Sequence, residues 1–333
     1  MTADDQKLIN HAAAWPECPT LQDCSTNKLV EISNTHGLDF ATALFYDRVL
    51  RCPKNCEFFQ RVHARSQTPL AVPTLIGIVP GAFYREHKNT GADGERIVEI
   101  GRSLNCAVER IPLQSFGSLA ENARQIADWL TARGGQRIAL VSLSKGSADL
   151  KTALGLPNAA QLFRNVVAWI SLSGLVQGTP LVAWLRRQRL RRIGVHLLLW
   201  ARGQRYSTLE ELHHENGRLL TEWPSLPPHL RIIHVLGFPL RRHLAHPFTP
   251  RAYERLAPLG PNDGGGILLG DMAQIPGVIF PVWGADHYLQ PASDATSLLR
   301  RVFVAAMDSE DAERHATFCA IQPSAPPANK SSA

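Results

Sequence analysis

The hydrophobic pattern of the chain changes character near residue 70. Within residues 1–70, apolar positions recur at helical spacing, most clearly over 41–50, and a further helix is expected over 55–65. Beyond this point, short apolar runs alternate with amphipathic segments, which is typical of βαβ units and a parallel sheet. The sequence therefore predicts an α/β protein with a mostly parallel sheet flanked by helices and a helical N-terminal region.

The individual elements follow from the length and periodicity of these segments. Short apolar runs predict six strands, over residues 74–79, 106–113, 137–142, 166–172, 231–236 and 278–283. Amphipathic segments between and after them predict helices over residues 95–104, 119–133, 145–154 and 292–307. Parallel strands that are joined in this way require right-handed crossover connections.

Two stretches depart from the alternation of strands and helices. Residues from about 178 to 230 are rich in Trp, Arg and Leu and have a helical character, so we interpret them as a cap insertion. The last residues are rich in Pro, Ser and Ala and have nothing apolar to bury. The predicted organisation is a helical region over 1–70, one α/β domain over 71–308 that contains the cap, and a disordered tail over 309–333.

Composition and charge narrow the classes of function. The chain has 333 residues, 44% of them hydrophobic, and a net charge of +6, but it lacks the basic runs with interleaved aromatics of nucleic-acid modules. None of the six cysteines forms a C-x-x-C pair, and the histidines lack a third ligand at zinc spacing, so no metal is expected. The first residues do not resemble a signal peptide, which predicts a cytoplasmic location.

The end of the third predicted strand carries the strongest indication of chemistry. The strand leads through Ser142-Leu-Ser144-Lys-Gly146 into a helix. A serine on such a turn has a strained backbone, so the residues two positions before and after it must be small. The segment resembles the Gly-x-Ser-x-Gly elbow of the α/β-hydrolase family, and this resemblance implies that Ser144 is a nucleophile. Ser171 and Ser173 are alternatives, but they lack this spacing and precede a Gly/Pro loop.

The loop after the first predicted strand extends the resemblance. Residues 74–83 resemble the strand and loop that supply an oxyanion-hole donor in this family. Pro80-Gly81 stands where the family usually has His-Gly. The resemblance implies that the backbone N–H groups of Ala82 and Lys145 stabilise a developing oxyanion.

The other two members of a catalytic triad are expected later in the chain. Asp263 lies in an Asn-Asp-Gly loop that resembles the acid-bearing loop of bacterial lipases, although such a sequence also suits a simple turn. His287 follows the last predicted strand, where the family places its histidine. The resulting order Ser, Asp, His is the order of this fold. Asp271 and Asp286 are alternative acids.

The resemblance implies a serine hydrolase that cleaves a carboxylic ester through an acyl-enzyme on Ser144. Its substrate would be a small-molecule or lipid-like ester, and neither a cofactor nor a metal would be required. An acyltransferase or a thioesterase would use the same triad. A catalytically silent binding protein of the same fold is a further alternative, which Ser142 and Pro80 favour.

The predicted cap has an unusual composition. Between residues 181 and 200 it is both strongly apolar and strongly basic, with arginines at 186, 187, 189, 191 and 192. A cap over the nucleophile is expected to shape an apolar acyl pocket. The arginine-rich segment is either an amphipathic lid that touches anionic lipid at a membrane surface or a hydrophobic ester, or an ordinary cap helix with a solvated arginine face.

Overall fold

All six strands of the central sheet run parallel. In the computed structural model, the described residues are 1–64, 72–87, 90–214, 220–290 and 295–308. The strand order across the sheet is β2-β1-β3-β4-β5-β6. The strands are β1 (Leu75–Val79), β2 (Val108–Arg110), β3 (Ile138–Leu143), β4 (Val166–Leu172), β5 (Arg231–Phe238) and β6 (Val278–Trp283). The predicted α/β fold class is confirmed.

Helices cover both faces of the sheet, which explains why the strands read as continuous apolar runs. Along β1, Leu75 and Val79 join one hydrophobic cluster, whereas Ile76 and Ile78 join the other. The helices of the described residues are α1 (Ala3–Ala13), α2 (Thr26–His36), α3 (Leu38–Arg51), α4 (Pro53–Ala64), α5 (Glu95–Ser103), α6 (Leu119–Thr131), α7 (Lys145–Leu154), α8 (Ala159–Leu162), α9 (Pro180–Arg187), α10 (Arg189–Ala201), α11 (Tyr206–Glu211), α12 (Thr249–Leu256) and α13 (Ala295–Met307).

Each face of the sheet has its own set of helices. Buried side chains of α1, α2, α3, α6 and α7 belong to the first hydrophobic cluster, together with Leu140 and Trp169 of the sheet. Buried side chains of α4, α5 and α13 belong to the second cluster, together with Val141 and Ile170. The alternation of neighbouring strand residues between the two clusters is the period-two pattern of a sheet that is buried on both sides.

Two predicted elements differ from the structure at their ends. The strand expected over 106–113 is only three residues long, because β2 is an edge strand and Pro112 has no N–H to donate to a ladder. The last helix begins at Ala295, and the three earlier residues expected in it lie outside the described residues. The tail predicted over 309–333 lies outside them as well.

The insertion between β4 and β5 is helical, as its sequence predicts. It contributes α9, α10 and α11, and α9 packs against both α10 and α12. The sequence did not predict α12, which lies between β5 and β6. Among the described residues, no helix has both the length and the apolar character needed to cross a bilayer.

Candidate active site

Ser144 occupies the sharp turn between β3 and α7. Its backbone has φ 46° and ψ −114°, a conformation that residues other than glycine rarely adopt. The turn is held from the neighbouring strand, because the Ser144 N–H donates to the carbonyl of Leu172 at 3.1 Å and the Leu175 N–H donates to the Ser144 carbonyl at 3.0 Å. A strained residue that its surroundings fix in this way is typical of a functional site.

Gly146 allows this turn to pack against the first strand. A Cβ atom at this position would lie 2.5 Å from the carbonyl oxygens of both Val79 and Pro80. Those oxygens belong to the backbone and have no freedom to rotate away. The glycine two residues after Ser144 is therefore a steric requirement of the close contact between α7 and β1.

Ser144, His287 and Asp263 come together although they are far apart in the sequence. The Ser144 Oγ lies 3.0 Å from Nε2 of His287, and Nδ1 of His287 lies 2.5 Å from Oδ2 of Asp263. The backbones are also joined, since the His287 N–H donates to the Asp263 carbonyl at 2.8 Å. The arrangement links a hydroxyl, an imidazole and a carboxylate in one line of hydrogen bonds.

The Asp263 carboxylate is fully buried and receives donors on both oxygens. Its Oδ1 accepts the backbone N–H groups of Gly265, Gly266 and Ile267 at 2.9, 3.0 and 3.0 Å. Burial alone raises the pKa of this carboxyl, but the adjacent His287 and these amide donors outweigh it and hold the pKa below 3.8. Asp263 is therefore ionised at neutral pH.

His287 is buried as well, and opposing effects act on its basicity. Burial lowers the pKa of the imidazole, but the charge and the hydrogen bond of Asp263, together with the charge of Asp286, raise it above 6.5. With Nδ1 bonded to the carboxylate, Nε2 is left to accept a proton from Ser144. The ring is oriented and polarised as a general base requires.

The flat ring of His287 packs directly on the backbone of Gly265. A Cβ atom on Gly265 would lie 2.0 Å from Cγ of the imidazole. This requirement was not recognised in the sequence, although the run Gly264-Gly265-Gly266 next to Asp263 is a visible signal. The run gives the loop both its amide donors and the space for the ring.

The two alternative acids have other partners. Asp271 pairs with His214 and accepts the Thr26 hydroxyl at 2.5 Å. Asp286 accepts bonds that close the loop around His287, from the backbone N–H groups of His246, Tyr288 and Gln290 and from the hydroxyl of Thr249. Of these three aspartates, only Asp263 is hydrogen-bonded to the ring of His287.

Ser144 and His287 face a cavity of about 590 Å³. Its apolar walls come from the segment after β1, from the ends of β3 and β4, and from the segments after β5 and β6. They include Phe83, Ile97, Leu143, Leu172, Phe248 and Leu289. The expectation that the insertion covers the nucleophile is wrong for the described residues, since none of those lining this cavity belongs to α9, α10 or α11. α9 is turned towards α12 instead.

No protein-family model matches this sequence, and no curated protein matches it. Among solved structures, a metagenomic carboxyl esterase is 21% identical, with a TM-score of 0.51, over 76% of this chain and 78% of that chain. The chain has the α/β-hydrolase fold. A Bacillus licheniformis lipase in its mature form is 17% identical over 72% of this chain and 96% of that chain, with a TM-score of 0.49.

Ser142 is the one departure from the usual elbow of the α/β-hydrolase fold, and its hydroxyl is fully satisfied. It accepts from the Trp169 indole at 2.7 Å and lies 2.7 Å from the Ser147 hydroxyl, which in turn lies 3.0 Å from that of Ser171. This buried network leaves the turn at Ser144 undisturbed. Ser171 is part of the network, and Ser173, at φ 44°, is buried beyond it; within the described residues His287 bonds to neither.

The expected oxyanion donors lie at the same edge of the sheet. Ala82 lines the cavity beside Ser144, and among the described residues its N–H has no hydrogen-bond partner. The N–H groups of its two neighbours, Gly81 and Phe83, are bonded to carbonyls. Lys145 is the first residue of α7, where the backbone N–H has no intrahelical acceptor. Both amides are therefore available to a ligand.

Proposed function

We propose that this chain is a serine hydrolase that cleaves carboxylic esters through an acyl-enzyme on Ser144. The observation that carries the proposal is the chain of hydrogen bonds from Ser144 through His287 to Asp263 at the wall of a cavity. A solved carboxyl esterase of the same fold adds support for this reaction class. Backbone strain at a serine, a buried carboxylate and a polarised imidazole are each typical of catalytic sites, and here they occur together.

The proposed reaction begins with attack of the Ser144 hydroxyl on the acyl carbon while Nε2 of His287 takes its proton. Asp263 stabilises the imidazolium that forms. The N–H groups of Ala82 and Lys145 bind the oxyanion, each contributing about 3 kcal/mol to the transition state. His287 then protonates the leaving alcohol, and a water that it activates releases the acid from Ser144.

The cavity supports an ester with an apolar acyl group. A volume of about 590 Å³ lies within the range of small-molecule sites. Aromatic and aliphatic side chains such as Phe83, Ile97 and Leu289 line it next to Ser144. We therefore propose a small-molecule or lipid-like ester as substrate. The steps that we propose use no metal and no organic cofactor.

Labelling with a fluorophosphonate probe, followed by hydrolysis of short and long p-nitrophenyl esters, tests the proposal. The wild-type chain is expected to be labelled and active, and Ser144→Ala is expected to lose both properties. Ser173→Ala is the matched control, because Ser173 is a buried serine that follows the neighbouring strand. This variant is expected to retain both labelling and activity. Labelling that is retained in Ser144→Ala but lost in Ser173→Ala would contradict the proposal.

The same experiments separate the alternatives. A folded wild-type chain that is neither labelled nor active would favour a catalytically silent binding protein. Labelling at Ser144 with products that form only when an alcohol or amine acceptor is added would favour an acyltransferase. A strong preference for thioesters over oxygen esters of the same acyl chain would favour a thioesterase.

A further inference from the structure

The helix α10 exposes most of its large apolar side chains to solvent. Leu199 is its only buried residue among those described, whereas Leu190 is 86% exposed and Trp200 74% exposed. More than half of the large apolar side chains exposed in the described chain lie on this helix; they are Leu190, Ile193, Leu197, Leu198 and Trp200. A concentration of this kind marks an interaction surface and not ordinary surface composition.

Four of these five exposed residues share one side of the helix. Leu190, Ile193, Leu197 and Trp200 are separated by three, four and three residues, which places them in one stripe along α10. Leu199, which packs against the protein, lies on the opposite side. We call this stripe the apolar face of α10. It points away from the body of the protein and covers no part of the cavity.

The apolar face is bordered by arginines, which are concentrated in five of the seven positions from 186 to 192. Arg186 lies 3.7 Å from Glu210, and the guanidinium of Arg191 lies over the Trp184 ring at 5.0 Å. Arg187, Arg189 and Arg192 are exposed and have no ion-pair partner among the described residues.

The position of these charges is unfavourable for the isolated helix. Arg189, Arg191 and Arg192 lie in the first turn of α10, which has no acidic residue. Cations at a helix N-terminus oppose the helix dipole, so their presence there does not stabilise α10. An external anionic surface would neutralise the charge of the arginines and so remove their repulsion by the positive end of the helix dipole.

The apolar face is connected to the rim of the candidate active site through α9 and α12. The ring of Trp184 in α9 is covered by the guanidinium of Arg255 in α12, at 4.1 Å. Just before α12 begins, Phe248 lines the cavity and is 57% exposed. If the apolar face of α10 binds to an apolar surface, that surface therefore lies close to the segment around Phe248, which forms one wall of the cavity.

We propose that α10 docks the protein on the surface of a bilayer that contains anionic phospholipids. The apolar face enters the headgroup region, and the exposed arginines bind lipid phosphates. A second copy of the chain fits less well, because α10 has no acidic residue that could pair with these arginines across a symmetric contact between two such helices. The proposal goes beyond ester hydrolysis and does not rest on it.

Vesicle flotation of the full chain tests the proposal. The protein carries Ser144→Ala, so that the lipids stay intact and failure of the hydrolase proposal does not affect the result. Vesicles of phosphatidylcholine alone are compared with equal mixtures of phosphatidylcholine and phosphatidylglycerol. Binding is expected to the mixed vesicles only, and it is expected to weaken as salt is added.

Substitution of the apolar face is the first specific variant. Leu190→Ser with Leu197→Ser is expected to abolish flotation with mixed vesicles while circular dichroism shows an unchanged fold. The matched control is Val72→Ser with Leu259→Ser, which removes two exposed apolar side chains elsewhere and is expected to float like the parent.

Substitution of the arginines tests the electrostatic part. Arg189→Gln with Arg192→Gln is expected to weaken partitioning by about 30-fold, because each arginine near an anionic surface contributes about fivefold. Arg102→Gln with Arg124→Gln makes the same change in net charge at two exposed positions on α5 and α6, and it is expected to have little effect.

Several outcomes would overturn the docking proposal. Absence of flotation, equal flotation with both kinds of vesicle, or equal losses in the control variants would each do so. A dimer that dissociates in Leu190→Ser with Leu197→Ser, together with no binding to vesicles, would assign the apolar face to self-association instead.

Discussion

A histidine that accepts a proton from Ser144 must be uncharged before the reaction begins. The neighbouring carboxylates of Asp263 and Asp286 raise the pKa of His287 above 6.5, in spite of its burial. The imidazole is therefore protonated as the pH falls through that raised pKa, and the proton acceptor is lost. We expect kcat/KM for ester hydrolysis to decline on the acid side with an apparent pKa above 6.5, as a pH profile would reveal.

Replacing Asp263 by Asn removes the charge that raises this pKa. We expect Asp263→Asn to lower kcat/KM by about 10⁴-fold, because the imidazole loses its orientation and tautomer. The residual activity should have its acid limb at lower pH than in the wild type. Asp271→Asn is the control, since Asp271 pairs with His214 away from the cavity. An unchanged rate and pH profile in Asp263→Asn would contradict the role proposed for this carboxylate.

The contact between Gly265 and the His287 ring gives a second prediction for single residues. In Gly265→Ala the new methyl group would lie 2.0 Å from Cγ of the ring, so the imidazole must move. A displacement of about 1 Å typically costs about 100-fold in rate, and we expect kcat to fall by at least that factor. Gly135→Ala is the control, because nothing lies within 4 Å of its Cβ. Equal kcat values for the two variants would argue against a ring fixed by Gly265.

Among the helices, α7 supports both the Ser144 turn and the insertion. The buried ammonium of Lys151 on α7 donates to the carbonyls of Val176 at 2.9 Å and Leu220 at 2.6 Å, and it lies 4.3 Å from the Trp223 ring. Burial lowers the pKa of this group to about 8. Lys151 thus joins α7 to the residues just before the insertion and to the C-terminal part of the insertion.

We expect Lys151→Met to lower the free energy of unfolding by about 2 kcal/mol. Two buried carbonyls would lose their donor, and each such loss typically costs about 1–3 kcal/mol, partly offset because no ammonium is then buried. Urea unfolding at neutral pH measures the change, with the exposed Lys7→Met as control. A Lys151→Met protein that is as stable as wild type would show that the cost of burying the ammonium cancels its hydrogen bonds.

Sequence periodicity predicted most of the sheet because both of its faces are buried. The strands β1, β3, β4 and β6 lie within a residue or two of their predicted ends, since continuous apolar runs mark them. Prediction was poorer for β2, whose edge position limits its pairing, and α12 was not predicted at all. Elements that are short or exposed show only a weak periodicity of hydrophobic residues in the sequence.

The residues of the candidate site were predictable for a different reason. Ser144, Asp263 and His287 each lie in a short motif at the end of a strand or in a glycine-rich loop, and the structure brings them together. The hydroxyl network of Ser142 was not predictable, because Trp169 donates to Ser142, and Ser171 joins the network through Ser147, only in the register that β3 and β4 adopt. The direction in which the insertion packs was not predictable either, because it depends on contacts between residues that are distant in the sequence, such as those of α9 with α12.

For the molecule as a whole, an ion pair joins α1 to the segment after β5, in addition to the hydrophobic cluster that α1 shares with the sheet. Asp5 on α1 pairs with Arg242, which follows β5, and its carboxylate also lies 3.3 Å from Nε2 of His243. Burial alone raises the pKa of Asp5, but hydrogen bonds from the Thr2 backbone and Arg242 lower it to about 2. Because this pKa is below the ordinary value of 3.8, the ionised Asp5 stabilises the folded chain above pH 3.8, and this stabilisation is lost as the pH falls through about 2.

We expect Asp5→Asn to lower the free energy of unfolding by about 2 kcal/mol at pH 7, with the difference from wild type disappearing near pH 2. Urea titrations across this range measure the effect. Asp4→Asn is the control, because the Asp4 side chain is 85% exposed and lies 3.8 Å from Lys7, which is itself exposed. A difference that persists unchanged down to pH 2 would show that the ion pair is not its source.

Part of the wall of the cavity belongs to stretches of chain other than those that carry the residues of the proposed chemistry. Ser144 and His287 are fixed at the ends of β3 and β6, whereas Phe83 and Phe248 lie in connections between strands and outside both hydrophobic clusters of the sheet. Those connections tolerate exchange, because the sheet does not depend on their side chains. Relatives of this protein could thus diverge in the compounds they accept by changing these connections, while the route of proton transfer is inherited intact.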